Sequence, residues 1–386
     1  MTRAPRIVHV AAVEYTARAL LAPQMAMLQQ RGYDVRLICA PDAAEFGTDL
    51  DPFAPVEVAF PRSIRPAAMA RAVRQLREVL ADLQPEVVHL HTPAVAMTAR
   101  LLPPRALPRN TRMLYTVHGF AHVWDRPSLR NTALERVERV LARRTEALLF
   151  QSQEDLDEVR RRHYATRTFY LGNGVQEDWF TGPRRGEDRV GRRGLFVGRL
   201  VREKGVLDLF DALELAPSVS LGVAGTELPT ERDGVGRIVR ERAAGAPLAG
   251  RIDLLGMLDR QEMRAAHRRT DFLVLPSYRE GVPRSIIEGM ASGLPAVVTD
   301  VRGCRELVEH GRNGFVVPPG EPAALARALE AMAELSDADY AGMSEAAYAT
   351  VSERFRESAV YDRLVDIYGA VGVPAPSLPR SAAGGV

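Results

Sequence analysis

Two cations in the segment GRLVREKG (198–205) could bind a phosphate group. Lys204 is the one lysine of the chain, and every other member of its 51 basic residues is an arginine. An apolar, strand-like run precedes the segment and a helical pattern follows it, so Gly198 allows a tight turn at a strand end. Arg199 and Lys204 there would suit a diphosphate, because two cations offset its charge without a metal. Taken alone, a basic turn is more often solvated charge with no ligand.

A second segment, PSYREGVPRSIIEGMASGLPAVVTD (276–300), makes the ligand the better interpretation. Gly281 and Pro283 mark a loop that enters a helix, and Pro283 suits a first helical turn. Ser285 is short enough to help satisfy the amides of that turn. The exposed amides of residues 282–285 would then form an anion site.

Two carboxylates of the same segment suit sugar hydroxyls. Glu280 would lie on the loop and could hold the hydroxyls of a sugar, whereas Glu288, inside the helix, could accept hydrogen bonds from a ribose diol. The alternative is that Glu280 is a surface charge and Glu288 an ordinary helix residue.

The elements that position these residues follow from the alternation of short apolar runs with helix-period segments. Such alternation indicates βαβ units and parallel sheets, which bind ligands at the carboxyl ends of their strands. The predicted strands are 6–13, 33–40, 56–60, 86–92, 112–119, 146–152, 166–174, 193–199, 218–225, 251–256, 271–277, 295–300 and 314–318. We therefore expect an α/β protein with two doubly wound domains in tandem.

The expected organisation has five parts. They are an N-terminal Rossmann-like domain (1–175), a glycine- and charge-rich linker (176–194), a C-terminal Rossmann-like domain (195–355), a C-terminal helix that packs back on the first domain (356–372) and a disordered tail (373–386).

The motifs resemble those of a known family. GRLVREKG, EGVPRSIIEGMASGLPAVVTD and RGCRELVEHGRNGFVVPPG together resemble the C-terminal domain of retaining glycosyltransferases of family 4, and EVVHLHTP, YTVHGF and LGNGV follow the family's order in the first half. The variants are most similar to members of capsule, exopolysaccharide and lipid-linked saccharide pathways. The resemblance implies the GT-B fold, in which two doubly wound Rossmann-like domains face a central cleft. It implies an acceptor-binding N-terminal domain and a nucleotide-sugar-binding C-terminal domain.

The resemblance also implies roles for single residues. His118 would lie beside the transferred sugar and Glu280 would hold that sugar's hydroxyls, so these two are the predicted catalytic residues. The implied donor-binding residues are Gly198, Arg199, Lys204, Gly256, Met257, Leu258, Gly281, Val282, Pro283, Ser285 and Glu288.

The chain departs from the family after its first strand and at two later positions. The segment AAVEYTARALL stands where many members carry a glycine pair, so Glu14 and Tyr15, together with His91, are predicted on the acceptor side. Gly289 replaces a more usual alanine, and Arg302 a common glycine.

The implied reaction is a retaining, metal-independent transfer from a nucleotide-diphosphate sugar, with uridine as the default base and guanosine open. The acceptor would be a lipid-linked saccharide or a small molecule, and no cofactor is expected. Two alternatives are a nucleotide-sugar 2-epimerase of the same architecture and a non-catalytic nucleotide-sugar binding protein.

Metal-binding patterns are weak. The pattern D-x-D occurs three times in scattered polar stretches, and the pairs His118 with His122 and His89 with His91 have no matching carboxylates. Structural histidines are the favoured interpretation of His89 and His122, and no metal site is predicted.

Composition and charge bear on two kinds of partner, nucleic acid and anionic lipid. A net charge of +2 argues against a nucleic-acid binder, and two distant cysteines suggest a reducing cytoplasm. Residues 60–112 carry nine arginines against three acids. They could contact anionic lipid at the inner membrane face or a lipid-diphosphate acceptor, although a solvated arginine-rich face is the favoured interpretation.

Overall fold

The computed structural model describes residues 3–41, 49–61, 65–120, 128–191, 193–227 and 234–376, apart from the side chains of Tyr15, Ala19 and Pro104. His122 and residues 377–386 of the predicted tail lie outside these ranges.

The chain forms two compact units, each with its own parallel sheet. The first comprises Met1–Leu171 and Tyr361–Val386, and the second Gly172–Val360. The described residues form thirteen strands, one within each predicted apolar run. The predicted α/β fold with two doubly wound Rossmann-like domains is confirmed.

The first unit contains a seven-stranded sheet in the order β3-β2-β1-β4-β5-β6-β7, with every pair parallel. Its strands are β1 (Arg6–Val13), β2 (Asp34–Ala40), β3 (Val56–Glu57), β4 (Val87–His91), β5 (Arg112–Val117), β6 (Ala147–Phe150) and β7 (Arg167–Tyr170). Strand order reverses between β1 and β4, and such a reversal opens a crevice at the carboxyl ends of these strands.

Helices pack around this sheet. They are α1 (Glu14–Thr16), α2 (Ala22–Gln30), α3 (Pro66–Leu83), α4 (Pro93–Ala99), α5 (Leu129–Ala142) and α6 (Gln153–Arg161). A π-helical segment, Ala17–Leu21, joins α1 to α2. The chain is therefore helical from Glu14 directly after β1, and no loop stands where the family has its glycine pair.

The second unit contains a six-stranded parallel sheet in the order β10-β9-β8-β11-β12-β13. Its strands are β8 (Arg193–Val197), β9 (Ser220–Ala224), β10 (Ile252–Gly256), β11 (Phe272–Leu275), β12 (Ala296–Thr299) and β13 (Gly314–Val317). Here the order reverses between β8 and β11. The segments after these two strands are GRLVREKG and PSYREGVP, so the topology brings the two predicted phosphate and sugar segments to one edge.

The helices of the second unit are α7 (Val206–Leu215), α8 (Val235–Ala244), α9 (Arg260–Arg268), α10 (Arg284–Ala291), α11 (Cys304–Leu307), α12 (Pro322–Glu334) and α13 (Asp337–Ser352). A continuous apolar core of leucine, valine, isoleucine and phenylalanine side chains fills the space between them and the sheet.

The segment 176–194, expected as a linker, packs on the second unit. The Arg184 guanidinium donates hydrogen bonds to the backbone oxygens of Ser292, Thr270 and His267 at 3.1, 2.7 and 2.7 Å, and Trp179 is buried. Composition concealed this packing, because one buried tryptophan and the hydrogen bonds of one arginine fix a segment that is otherwise rich in glycine and charge.

The last helix, α14 (Glu357–Ala370), starts in the second unit and ends in the first. Arg363 Nε donates to the Leu171 oxygen at 2.9 Å, and the rings of Tyr368 and Tyr33 meet edge to face at 6.0 Å. Residues 361–376 thus pack with the first unit.

Candidate functional site

The ammonium of Lys204 meets the carboxylate of Glu280. Lys204 Nζ lies 2.6 Å from Glu280 Oε1, and the Glu280 side chain is only 8% exposed. Ser277 Oγ donates a second hydrogen bond, of 2.6 Å, to the same oxygen. The two predicted segments therefore form one charged site at the carboxyl edge of the second sheet.

Backbone contacts hold the two segments together. The Tyr278 amide donates to the Glu203 oxygen at 2.8 Å. Lys204 ends a 3₁₀ turn, and Gly205 follows it with a φ of 68°. A Cβ at Gly205 would lie 1.9 Å from the Pro276 oxygen, so this turn fits only a glycine.

Helix α10 starts beside Glu280. Pro283 is its N-cap, one position earlier than predicted, and no side chain caps the first turn, so Ser285 does not fill that role. Asn173 Nδ2 donates to the Val282 oxygen at 2.7 Å. The amides at the start of α10 are therefore held in place by a side chain from the LGNGV motif, and they suit an anion.

Glu288 lies just beyond the first turn of α10. Arg284 Nε is 3.8 Å from Glu288 Oε1, and the carboxyl side chain is 18% exposed. Burial raises the pKa of Glu288, and the charge of Arg284 opposes that rise. The neighbouring Gly289 is explained by packing, because a Cβ there would lie 2.0 Å from Cδ1 of Leu273.

The remaining predicted donor residues lie on neighbouring strand ends. Gly198 follows β8, its amide bonds the Ala224 oxygen at 3.0 Å, and the next residue, Arg199, is exposed. Gly256 ends β10 with a φ of 68°. Met257 is 53% exposed, whereas Leu258 packs partly on the core.

In the first unit, His118 ends a chain of hydrogen-bonded imidazoles. His118 Nδ1 is 3.2 Å from Gln151 Oε1, His118 Nε2 is 3.1 Å from His91 Nδ1, and His91 Nε2 is 2.9 Å from His9 Nδ1. Because the Gln151 oxygen accepts, each of the three rings carries its proton on Nδ1 and donates to the next acceptor.

Burial keeps these rings neutral. It lowers the pKa of His118 to about 4 and that of His9 to about 3, and lowers the pKa of His91 well below its usual value. Both ring nitrogens of His118 are hydrogen-bonded inside its own unit. Its ring is therefore fixed and uncharged, and it does not suit the role of a general base.

His9, His89 and His91 are the three described residues grouped closely enough to hold a metal ion. His89 bonds the Tyr368 hydroxyl through Nδ1 at 2.8 Å and Thr116 Oγ1 through Nε2 at 2.7 Å. Both nitrogens of His89 and of His91 are therefore engaged, and among the described atoms only His9 Nε2 of this group has no partner. A metal would need to break this network, so its donor set fits hydrogen bonding better than a metal ion.

The predicted acceptor-side residues lie near the same strand ends. His91 ends β4, and Glu14 starts α1 and pairs with Arg18 at 3.4 Å. Tyr15 follows Glu14 on the backbone, and its side chain lies outside the described part. Glu14 and His91 thus come from the two strands at the reversal point of the first sheet.

Four residues outside the predicted set support the site. Ser277 and Asn173 hold Glu280 and the loop before α10, Tyr278 bonds Asp208 Oδ2 at 2.6 Å, and His9 extends the imidazole chain. Asn173 lies in the LGNGV motif, so the sequence does contain a signal for this residue. No sequence motif marks His9. Its place in the site depends on the pairing of β1 with β4, which sets His9 beside His89.

Two family models match the chain. The model described as Glycosyltransferase Family 4 matches residues 25–179, and that described as Glycosyl transferases group 1 matches residues 191–334. The chain belongs to the family 4 glycosyltransferases. It is therefore a glycosyltransferase, as the motifs predicted.

Three curated relatives of this glycosyltransferase illustrate the range of its family. A protein named putative glycosyltransferase EpsD, from Bacillus subtilis, is 27% identical over 95% of this chain and 96% of its own length. The alpha-D-kanosaminyltransferase of Streptomyces kanamyceticus is 29% identical, covering 68% and 71%. The GDP-mannose:cellobiosyl-diphosphopolyprenol alpha-mannosyltransferase of Xanthomonas oryzae is 25% identical, covering 68% and 69%.

Solved structures share the fold of this glycosyltransferase. Sucrose-phosphate synthase from Thermosynechococcus elongatus has a TM-score of 0.80 at 19% identity, covering 95% of this chain and 99% of its own. HepE from Anabaena, in complex with UDP and glucose, has a TM-score of 0.75 at 20% identity, covering 95% and 100%. The predicted GT-B fold is confirmed.

Among the described residues, we find no helix with the length and apolar character needed to cross a bilayer.

Proposed function

We propose that this glycosyltransferase moves a sugar from a nucleotide-diphosphate sugar, by default a UDP-sugar, to a saccharide, lipid-linked or small-molecule acceptor, with retention at the anomeric carbon. The donor binds the second unit and the acceptor the first.

The contact between Lys204 and Glu280 beside the start of α10 carries the proposal. Within one loop cluster, the Lys204 cation and the uncapped amides at the start of α10 match the negatively charged diphosphate of such a donor, and the Glu280 carboxylate matches its sugar hydroxyls. Glu288, deeper in α10, accepts from the ribose diol.

The reaction follows from where charge develops. The bond between the anomeric carbon and the diphosphate oxygen breaks, which leaves negative charge on the diphosphate and positive character on the sugar. Arg199, Lys204 and the α10 amides stabilise the diphosphate. The departing phosphate oxygen takes the proton of the acceptor hydroxyl, and the acceptor oxygen bonds the anomeric carbon from the same face.

The relatives support the classes of donor and acceptor without choosing among them. HepE was crystallised with UDP and glucose, which supports a uridine donor, whereas the Xanthomonas relative is named for GDP-mannose. The name of the Xanthomonas relative includes a diphosphopolyprenol, which supports a lipid-linked acceptor. The kanosaminyltransferase is named for the sugar that it transfers and not for its acceptor, so a small-molecule acceptor stays in the proposal as the second class without support from a name.

No metal or cofactor is part of the proposed mechanism. The cations that face the diphosphate are protein side chains, and each D-x-D sequence begins or precedes a helix. The backbone amides of Asp155 and Asp339 donate to the hydroxyl oxygens of the serines that cap their helices, and the Asp51 amide donates to Asp49 Oδ1. Activity should survive EDTA, and a requirement for added Mg²⁺ or Mn²⁺ would contradict the proposal.

A panel of UDP- and GDP-sugars, scored by thermal shift, tests the donor. A ligand at 100 times its Kd stabilises the native state by about 2.7 kcal/mol, so the correct donor raises the melting temperature. NMR of the product formed from that donor then reads the anomeric configuration. No stabilisation by any donor, or an inverted product, would sink the proposal.

The same panel separates the alternatives. A 2-epimerase would convert its donor without an acceptor, and a binding protein would bind without turnover. The curated relatives described above are all named as transferases, which does not favour either alternative.

A further inference from the structure

A basic cavity opens in the first unit, away from the candidate site. Its volume is about 740 Å³, and it lies at the amino ends of β5 and β6, where Arg112 and Glu146 stand. His91 ends β4 and His118 follows β5, so both lie at the opposite, carboxyl edge of the sheet. Six arginines line this cavity: Arg100, Arg105, Arg109, Arg112, Arg143 and Arg144.

Most of this positive charge is not neutralised. Arg100 is fully buried and forms two hydrogen bonds to Glu138, of 2.7 and 2.8 Å, which fixes one wall. Arg112 shares Glu146 with Arg167. The other four arginines are exposed and form no ion pair with a residue of the described ranges: Arg105, Arg109, Arg143 and Arg144.

Apolar side chains are exposed beside these arginines. Leu101, next to Arg100, is 43% exposed, and Val137 and Val140 of α5 are 44% and 60% exposed. Helical spacing places Val137 and Val140 on one face of α5, and Arg144 follows the end of this helix at the cavity. Arg144 Nη1 bonds the Arg100 oxygen at 3.3 Å, which joins the end of α5 to the end of α4.

We propose that this basic-apolar surface, made of Arg105, Arg109, Arg143, Arg144, Leu101, Val137 and Val140, docks on an anionic phospholipid bilayer. Guanidinium groups bind phosphate oxygens in pairs, and the leucine and valines enter the interface between headgroups and acyl chains. The surface lies elsewhere than the sugar-transfer site, so its role does not depend on the identity of donor or acceptor.

The composition of the surface favours lipid over other polyanions. Single-stranded nucleic acid is bound by aromatic stacking, and no aromatic side chain lines the cavity. A dissolved phosphate would use the arginines but gain nothing from exposed valines. An anionic bilayer uses both, because charge brings the surface close and apolar side chains then insert.

Vesicle sedimentation tests this inference without any transfer assay. The full chain is mixed with vesicles of phosphatidylcholine alone, or of phosphatidylcholine with 30% phosphatidylglycerol, at 0.1 M NaCl. The expected result is binding to the anionic vesicles only, weakened at 0.5 M NaCl because salt screens the attraction.

Matched variants locate the surface. Replacing Arg105, Arg109 and Arg143 by serine should weaken vesicle binding on the order of 100-fold, since each arginine near an anionic surface contributes about fivefold. The control replaces Arg268, Arg269 and Arg327 of the second unit, which are equally exposed, and should bind like the wild type. Val137→Ser with Val140→Ser should weaken binding at both salt concentrations.

Several outcomes would overturn the inference. They are equal binding to both vesicle types, wild-type binding by the arginine variant, equal losses in the control, and displacement from vesicles by a DNA duplex at concentrations well below those of lipid phosphate. Circular dichroism checks that the variants fold. Intact sugar transfer without vesicle binding would reject this surface alone and leave the proposed function standing.

Discussion

Lys204 Nζ lies 2.6 Å from Glu280 Oε1, across two loops that follow neighbouring strands of the second sheet. The carboxylate is nearly buried and the ammonium is half-buried, so each limits where the other can be. In the proposed complex, a diphosphate that binds Lys204 would lie beside Glu280, and Glu280 would face the attached sugar. This ion pair would then link the two halves of the donor.

The substitution Glu280→Gln tests whether the site needs the negative charge of this side chain or only its size. The amide keeps the size of the side chain and loses its negative charge, so UDP should bind about as well as in the wild type while transfer falls about 100-fold. Kinetics with donor and acceptor, alongside calorimetry with UDP, measure both effects. Glu280→Asp, which keeps the charge on a shorter stem, is the control, and full transfer by Glu280→Gln would remove this residue from the site.

Gly205→Ala tests the turn that carries Lys204. A Cβ at this position would meet the Pro276 oxygen at 1.9 Å, with a φ of 68° that other residues rarely adopt. We expect a loss of at least about 1–2 kcal/mol in the free energy of unfolding and weaker UDP binding.

Gly342→Ala is the matched control, because no atom lies within 4 Å of its added Cβ in helix α13. It should stabilise the protein by about 0.5–1 kcal/mol. Equal effects of the two substitutions on denaturant unfolding would contradict the account of the turn.

Because His9 and His118 are buried and neutral, we expect the free energy of unfolding to fall in acid. The pKa of His9 is lowered to about 3 and that of His118 to about 4, so between these values and 6.5 the unfolded chain binds protons that the native state does not. Stability is therefore full above pH 6.5 and is lost as the pH falls, by up to about 1.4 kcal/mol per pH unit for each histidine.

His9→Gln keeps a hydrogen-bonding side chain and removes the titration. Denaturant unfolding at pH 7, 6 and 5 should show a slope smaller than that of the wild type by about 1 kcal/mol per pH unit. His163→Gln controls for the loss of an exposed imidazole. If His9→Gln kept the wild-type slope, burial of a neutral His9 would be disproved.

His91→Phe removes the group that donates to His118 Nε2. We expect kcat to fall about 10- to 100-fold with little change in the KM of the donor, because the ring of His118 is then no longer fixed. ¹⁵N NMR should find the proton of His118 on Nδ1 in the wild type and a mixture in the variant. His91→Asn, which can place an amide near the Nδ1 position, should recover part of the activity. A proton on Nε2 of wild-type His118 would refute the chain of donors.

The sequence predicted the fold and the positions of the site segments better than their contacts. Apolar runs located all thirteen strands, because a parallel sheet buries both of its faces. That Lys204 and Glu280 touch depends on the fit of Gly205 under Pro276, which no local pattern reveals. The glycine- and charge-rich composition of the segment 176–194 predicts a linker, but it does not reveal that Trp179 enters the core or that Arg184 donates hydrogen bonds to three carbonyls. His9 was overlooked since its partners lie on β4, about 80 residues further along the chain.

Turnover by Lys204→Ala tests the central claim most directly. If Lys204 stabilises the charge on the departing diphosphate, kcat/KM for the donor should fall about 10²–10³-fold, with Lys204→Arg between the variant and the wild type, because a planar guanidinium replaces a compact ammonium. Wild-type kcat/KM in Lys204→Ala would contradict the proposed role of this ion pair in donor binding.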